Sequence, residues 1–100
     1  MDIYYLKDHM FEEFDGAKEY MYHAENLKGV NNEWSKYFYD MAKAELDHAT
    51  NFYKMFDQHY KSLDTKPELS SYMQPFKLDM DKCYMEKMSK IRYMMDSYSR

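Results

Sequence analysis

The segment Ala42-Lys-Ala-Glu-Leu-Asp-His-Ala49 decides the fold. It places Glu45 and His48 three residues apart in a stretch with the apolar spacing of a long helix, so both side chains project from one face. A carboxylate and an imidazole in this arrangement are potential ligands of a transition metal. Because such a pair also arises by chance, the surrounding sequence must decide its meaning.

The residues around this pair predict a helix from about residue 33 to residue 61. Positions spaced alternately four and three residues apart form an apolar stripe typical of a packed helix. The two candidate ligands are its only strongly polar members. The stripe consists of Trp34, Phe38, Met41, Glu45, His48, Phe52 and Met55.

A preceding helix is predicted from about residue 3 to residue 28, with the same spacing and Glu13 as the only ionised member of its stripe. Gly29 then suits the left-handed residue that ends a helix, and Asn31 or Asn32 can cap the next one. The short connection predicts an antiparallel hairpin. The stripe consists of Leu6, Met10, Glu13, Ala17, Tyr20, Ala24 and Leu27, and it is widened by Phe14 and Met21.

The last third of the chain predicts a loop and one more helix. Residues 62 to 74 are rich in loop and capping residues, although Pro67 to Leu69 can open a short helical turn. Pro75 is expected to mark a boundary, and a third helix follows from about residue 76 to residue 98. We therefore expect an all-α fold of one small domain. The apolar stripe of the third helix consists of Met80, Tyr84, Met88, Ile91, Met95 and Tyr98.

The composition of the chain narrows the range of possible functions. A domain of 100 residues buries a modest core, so self-association is an expected source of further burial. The 14 basic and 18 acidic residues contain no basic run, which argues against a nucleic-acid partner. Cys83 is the only cysteine, so an internal disulfide is excluded and a reducing compartment is expected. Early charges and the lack of a long apolar run predict a soluble, cytoplasmic protein.

The hairpin brings Glu13 towards Glu45, because the two residues are equidistant from Gly29 along the chain. His48 then lies one turn further on the same face. Two carboxylates buried face to face repel each other, and neither stripe contains a Lys or Arg to neutralise them. The sequence therefore predicts either a metal ion held by Glu13, Glu45 and His48 or a protonated hydrogen-bond network without metal. Iron, manganese and zinc all suit these ligands.

Glu13, Tyr20 seven residues later, and the Glu45-Leu-Asp-His48 pair after a short turn resemble the first half of ferritin-like di-iron proteins such as bacterioferritin and rubrerythrin. The similarity covers roughly residues 7 to 56. In such bundles, four Glu and two His hold two metal ions. This hairpin offers half of that set, so the resemblance implies a homodimer with the site across its interface.

Such a half-ferritin chain is similar to the encapsulated ferritins. Carried over, the resemblance makes Glu45 the bridging ligand, Glu13 and His48 terminal ligands, and Tyr20 a phenol close to the site. It also implies that Glu45 and Tyr20 take part in oxidation of Fe(II) to Fe(III) by oxygen or peroxide, with two iron ions per dimer. Manganese or zinc are alternative metals.

Other sequence features extend or limit the resemblance. Glu12 and Asp15 occupy positions where carboxylates flank the path of incoming metal in encapsulated ferritins, although they could equally be surface acids. The tail from Met94 to Arg100 reads as the end of the third helix, so it does not support an encapsulin shell as a partner. Asp81 and Tyr84 have the spacing of a Glu-x-x-His pair and form a weaker candidate half-site.

The sequence is also compatible with two other functions. A ferritin-like hairpin can serve as a non-enzymatic helical interaction module, with a structural metal or none. A manganese or iron enzyme that removes peroxide is a third interpretation. His9 and His23 are expected at the surface or rim of the hairpin, and His59 at the fraying end of the second helix.

Overall fold

A computed structural model describes residues 2–100 as three helices and one short turn. Helix α1 spans Ile3–Leu27, α2 spans Asn32–Lys61 and α3 spans Pro67–Ser99, with a 3-10 turn at Ser62–Thr65 between α2 and α3. No strand occurs within these residues, so the predicted all-α fold is confirmed. None of the described helices is long and apolar enough to cross a membrane.

The turn between α1 and α2 follows the predicted capping pattern. Gly29 has a φ of 82°, a conformation that glycine adopts without strain. The Asn31 side chain accepts a hydrogen bond from the Trp34 amide at 3.1 Å, and the Asn32 side chain accepts one from the Gly29 amide at 2.7 Å. Both asparagines therefore stabilise the turn, which makes α1 and α2 an antiparallel hairpin.

The buried residues of α1 all belong to its predicted stripe as widened by Phe14 and Met21, although Glu13, Tyr20 and Leu27 are only partly buried. The buried face of α2 differs from its predicted stripe. The buried α2 residues each follow a predicted stripe residue by one position, which turns the face by about 100°. The small side chains of Ala42 and Ala49 are fully buried and allow a close approach to α1, whereas Trp34 is 61% exposed. The buried residues of α2 are Ser35, Ala42, Leu46, Ala49 and Phe56.

Helix α3 begins at Pro67, nine residues before the predicted start, and the boundary expected at Pro75 is wrong. Pro67 suits the first helical turn, where no intrahelical N–H partner is needed. Pro75 lies inside the helix, where proline costs about 3 kcal/mol. The ring of the next residue, Phe76, packs 5.4 Å from that of Phe56 and 5.0 Å from that of Tyr4, so this part of α3 is held by contacts with both other helices.

An ionic network holds α3 against α2. Lys77 Nζ lies 3.3 Å from Asp57 Oδ1 and 2.5 Å and 2.7 Å from the two carboxylate oxygens of Asp81. The Tyr53 phenol donates to Asp81, and its ring stacks on Tyr84 with centroids 4.1 Å apart. Burial and the Asp81 carboxylate raise the pKa of Tyr53 to about 12, so the phenol keeps its proton at neutral pH.

Tyr98 joins the end of α3 to residues near the hairpin turn through a hydrogen bond and a stacked ring. Its hydroxyl lies 2.7 Å from Oγ of Ser35, which is fully buried and donates to the Ala24 carbonyl at 2.6 Å. The Tyr98 ring also stacks on Tyr39, with centroids 4.9 Å apart. The tail therefore belongs to α3 as far as Ser99, as the sequence predicts.

Candidate metal centre

One side of the hairpin carries a face that α3 leaves uncovered. Within residues 2–100, no aromatic, ionic or side-chain hydrogen-bond contact joins α3 to this face. Its residues are mostly aromatic or apolar, and their only carboxylates are Glu13 and Glu45. We call this surface the open face; it consists of Tyr5, His9, Glu13, Gly16, Tyr20 and His23 from α1, and Trp34, Phe38, Met41, Glu45, His48, Phe52 and Met55 from α2.

The three predicted ligands meet at the centre of the open face. One ligand atom from each of Glu13, Glu45 and His48 lies within 4.8 Å of the other two. His48 Nδ1 lies 3.4 Å from Glu13 Oε2. The side chain of Glu13 is 22% exposed and that of His48 is 55% exposed, so the cluster lies at the surface of this chain and not in its interior. The carboxylates that the sequence predicts to be buried face to face are therefore only partly buried in one chain.

The level of these residues along the hairpin differs from the sequence expectation. The side chain of His48 meets that of Glu13 and the side chain of Glu45 meets Gly16, and the ring pairs His9–Phe52 and His23–Phe38 follow the same register. Level pairs are therefore equidistant from the bond between residues 30 and 31, and not from Gly29, which displaces the register by three residues. The Glu45 carboxyl still reaches Glu13, because it extends along α1 from the level of Gly16.

The carboxyl groups of Glu13 and Glu45 lie close enough to affect each other's charge. A hydrogen bond with Glu13, followed by burial and the negative charge of Glu13, raises the pKa of Glu45 from 4.5 to about 7. The nearby His48 opposes this shift. Two adjacent carboxylates repel each other, so the charged form of both is favoured when a cation lies between them.

This arrangement fits a metal ion with carboxylate and imidazole ligands. Protein oxygen and nitrogen ligands bind such ions at about 2.0 to 2.2 Å, so two ligands of one ion are at most about 4.4 Å apart. The observed limit of 4.8 Å requires only a small rotation of the side chains. Glu13, Glu45 and His48 would hold the ion, and three protein ligands leave coordination positions open for further ligands.

Gly16 is a residue of this site that the sequence interpretation missed. A Cβ atom at this position would lie 3.1 Å from Oε2 and 3.5 Å from Cδ of Glu45, closer than ordinary van der Waals contact for the oxygen. The signal that could have revealed it is a glycine in the middle of a 25-residue helix, where glycine costs about 1 kcal/mol relative to alanine. Such a cost suggests a local need for space.

Two pairs of rings flank the ligands on the open face. The rings of His9 and Phe52 stack with centroids 5.1 Å apart on one side, and those of His23 and Phe38 lie 5.0 Å apart on the other. Tyr20 packs near Phe38 at 6.1 Å. His9 is half-buried and His23 exposed, as expected for residues at the rim, and a catalytic role for Tyr20 stays a prediction.

The contacts of the remaining candidate residues are with groups other than the three ligands. Asp15 lines a groove between α1 and α3, and the exposed Glu12 lies 3.4 Å from His9. Asp81 binds Lys77, while the Tyr84 hydroxyl lies 3.0 Å from Oγ1 of Thr50. Within residues 2–100, the only group of three or more His, Cys, Asp or Glu that could hold a metal ion is Glu13, Glu45 and His48. The weaker half-site of Asp81 and Tyr84 stays a prediction.

The antiparallel hairpin with two carboxylates and a histidine at its centre defines a ferritin-like protein. The sequence model of the family described as Rubrerythrin matches residues 5–99, and the chain belongs to this family, which is part of the ferritin-like di-iron superfamily. The match includes α3, beyond the region that carried the resemblance in sequence. Searches of the curated proteins and of solved structures return no significant match.

Proposed function

We propose that this protein binds iron at Glu13, Glu45 and His48 and oxidises Fe(II) to Fe(III) at a site that two copies of the chain complete. The observation that carries this proposal is the meeting of three ligand atoms within 4.8 Å on an uncovered face. Membership of the rubrerythrin family supports iron as the metal, since proteins with this domain usually bind it.

A second copy is part of the proposal because one chain offers only half of a di-iron ligand set. Two copies joined through the open face would contribute four carboxylates and two imidazoles, as in ferritin-like bundles. Two divalent ions carry four positive charges, which balance the four carboxylates. The aromatic residues around the ligands would then lose their exposure, which favours association. A two-fold axis gives both copies the same contacts.

The residues of the chain have distinct parts in this reaction. Bound iron supplies the exchange of one electron between its ferrous and ferric states. The carboxylates of Glu13 and Glu45 favour the ferric product, because the harder and more highly charged ion binds oxygen ligands more strongly. His48 supplies a neutral ligand. Two Fe(II) ions give up two electrons, which reduce oxygen to hydrogen peroxide, or peroxide to water, with uptake of two protons.

Iron binding and oxidation are tested in one experiment. Fe(II) is added without oxygen, bound iron per chain is measured, and ferric absorbance is followed after oxygen or peroxide is admitted. We expect one iron per chain in the wild type and a loss of at least about tenfold in affinity for Glu45→Ala and His48→Ala. Glu33→Ala removes an exposed acid outside the site and should leave both measurements unchanged.

Two results would contradict the proposal at different levels. If the ligand variants take up as much iron as the wild type, Glu13, Glu45 and His48 are not the binding site. If the wild type takes up iron but does not oxidise it faster than buffer does, the chain is a metal-binding structural module and not an enzyme. Manganese in place of iron is tested by the same measurement of bound metal.

Association is tested by the mass of the protein in solution. Sedimentation of the metal-free and the iron-loaded protein should show a dimer that iron stabilises, and Glu45→Ala should lose this dependence on iron. A monomeric mass for the iron-loaded wild type would reject the shared site, although binding by a single chain would remain measurable.

A further inference from the structure

Gly16 occupies an unfavourable position for its residue type. It lies near the middle of α1, where alanine would stabilise the helix. Its backbone has no left-handed conformation that would require glycine; among the described residues, only Gly29 has a positive φ. The lack of a side chain at Gly16 must therefore serve a purpose other than backbone conformation.

The space beside Gly16 is filled by the end of Glu45. The three heavy atoms nearest to the position of a Cβ all belong to this side chain, and the nearest is Oε2 at 3.1 Å. Because Glu45 lies level with Gly16 and not with Glu13, its carboxyl must extend past this position to reach Glu13. A methyl group at residue 16 would lie 3.1 Å from Oε2 of Glu45, so this carboxyl would have to move away from its position.

We propose that Gly16 is a positioning residue, whose missing side chain leaves the space through which Glu45 reaches Glu13 and the metal. This inference rests on the proposed function for its effect on iron, but the placement of Glu45 can be tested without metal. Gly16 itself offers no ligand atom. It acts by fixing where the Glu45 carboxyl lies relative to Glu13 and His48.

The metal-free test is a double-mutant cycle between Gly16→Ala and Glu45→Ala, measured by thermal unfolding. In the Glu45→Ala background, Gly16→Ala should raise the Tm by about 4 to 8 °C, because only the gain in helix propensity remains. In the wild-type background the rise should be less than about half as large, because the new methyl group displaces Glu45. Asn51→Ala, on the exposed side of α2, should have the same effect in both backgrounds.

The iron test uses the same variants and Fe(II) added without oxygen. We expect Gly16→Ala to weaken iron binding by about 10- to 100-fold, comparable to the loss of a group that orients a ligand. In the Glu45→Ala background, Gly16→Ala should cause no further loss, because the side chain through which it acts is gone. A residue that only packs against a second copy would weaken binding in both backgrounds.

The possible failures are distinguishable. Equal Tm increases in both backgrounds, or iron binding that Gly16→Ala leaves unchanged, would overturn the role of Gly16 while the proposed function stands. If the wild type binds no iron but the Tm increases differ as expected, the proposed function fails and the placement of Glu45 by Gly16 is supported.

Discussion

Two pairs of carboxylates in this molecule face each other, and they are neutralised in different ways. Asp57 and Asp81 lie on either side of Lys77, whose ammonium contacts both carboxylates. Ion pairs with Lys61 and then Lys77 lower the pKa of Asp57. Glu13 and Glu45 have no lysine or arginine among the residues of the open face, and the pKa of Glu45 is raised to about 7.

This difference indicates that the two carboxylate pairs have different roles. A pair with its own cation is complete within one chain and serves to hold α3 against α2. A pair without one is stable only when it holds a proton or an external cation. The sequence could have placed a lysine at the second pair as it does at the first. The lack of lysine on the open face and the presence of His48 beside the carboxyls are compatible with the proposed metal site.

The largest expected effect comes from giving the second pair a cation of its own. His48→Lys removes an imidazole ligand and places an ammonium beside Glu13 and Glu45. We expect iron binding to weaken by more than about 100-fold, equivalent to about 3 kcal/mol, while the metal-free protein becomes more stable. His59→Lys makes the same change at the exposed end of α2, and its iron binding should equal that of the wild type. If His48→Lys binds iron as tightly as the wild type, the proposed difference between the two carboxylate pairs is wrong.

The converse change removes the cation from the first pair. Lys77→Met leaves Asp57 and Asp81 facing each other and should lower the free energy of unfolding by about 2 kcal/mol, because the Lys77 side chain is only 16% exposed. Lys36→Ala removes a lysine that is 76% exposed, and should cost less than about 0.5 kcal/mol. Urea unfolding measures both. Similar losses in the two variants would show that Lys77 is an ordinary surface charge.

The two carboxylate pairs should also differ in how they make the stability of the fold depend on pH, and this effect is smaller. A carboxyl whose pKa rises from 4.5 in the unfolded chain to about 7 in the folded one binds more protons when folded, so stability decreases as pH rises between these values. We expect the metal-free protein to lose about 2 kcal/mol from pH 5 to pH 8, after allowance for solvent screening. Glu45→Gln should remove most of this loss. In the wild type, iron binding should strengthen over the same range, because the metal displaces the proton.

Much of the hairpin could be predicted from the sequence, because local rules determine it. The alternating spacing in α1 identifies its buried face, and Gly29 with its neighbouring asparagines identifies the turn. The same reasoning brought Glu13, Glu45 and His48 together. A displacement of three residues in register left this prediction intact, because glutamate side chains are long enough to compensate for it.

The orientation of α2 could not be predicted in the same way, because this helix has two neighbouring apolar faces. One carries the larger side chains, such as Trp34 and Phe38, and the other carries Ala42 and Ala49. Reasoning from side-chain size favours burial of the larger set. In the fold the small set is buried, because alanines allow α1 and α2 to approach closely, and this depends on contacts between helices that spacing within one helix does not report.

The start of α3 was missed for a related reason. Pro75 marks a boundary by local preference, but the packing of Phe76 against Phe56 and Tyr4 depends on residues distant in sequence. Gly16 was missed because its meaning depends on Glu45 in the other helix. In both cases a contact between two helices outweighs the local preference of a single residue.

The exposure of Trp34 has a practical consequence. It is the only tryptophan of the chain, it lies on the open face, and 61% of it is accessible to solvent. Indole fluorescence depends on contact with water. The tryptophan emission of this protein therefore reports only on the exposure of the open face. A spectrum that shifts to shorter wavelength would reveal when the open face becomes covered, without any label.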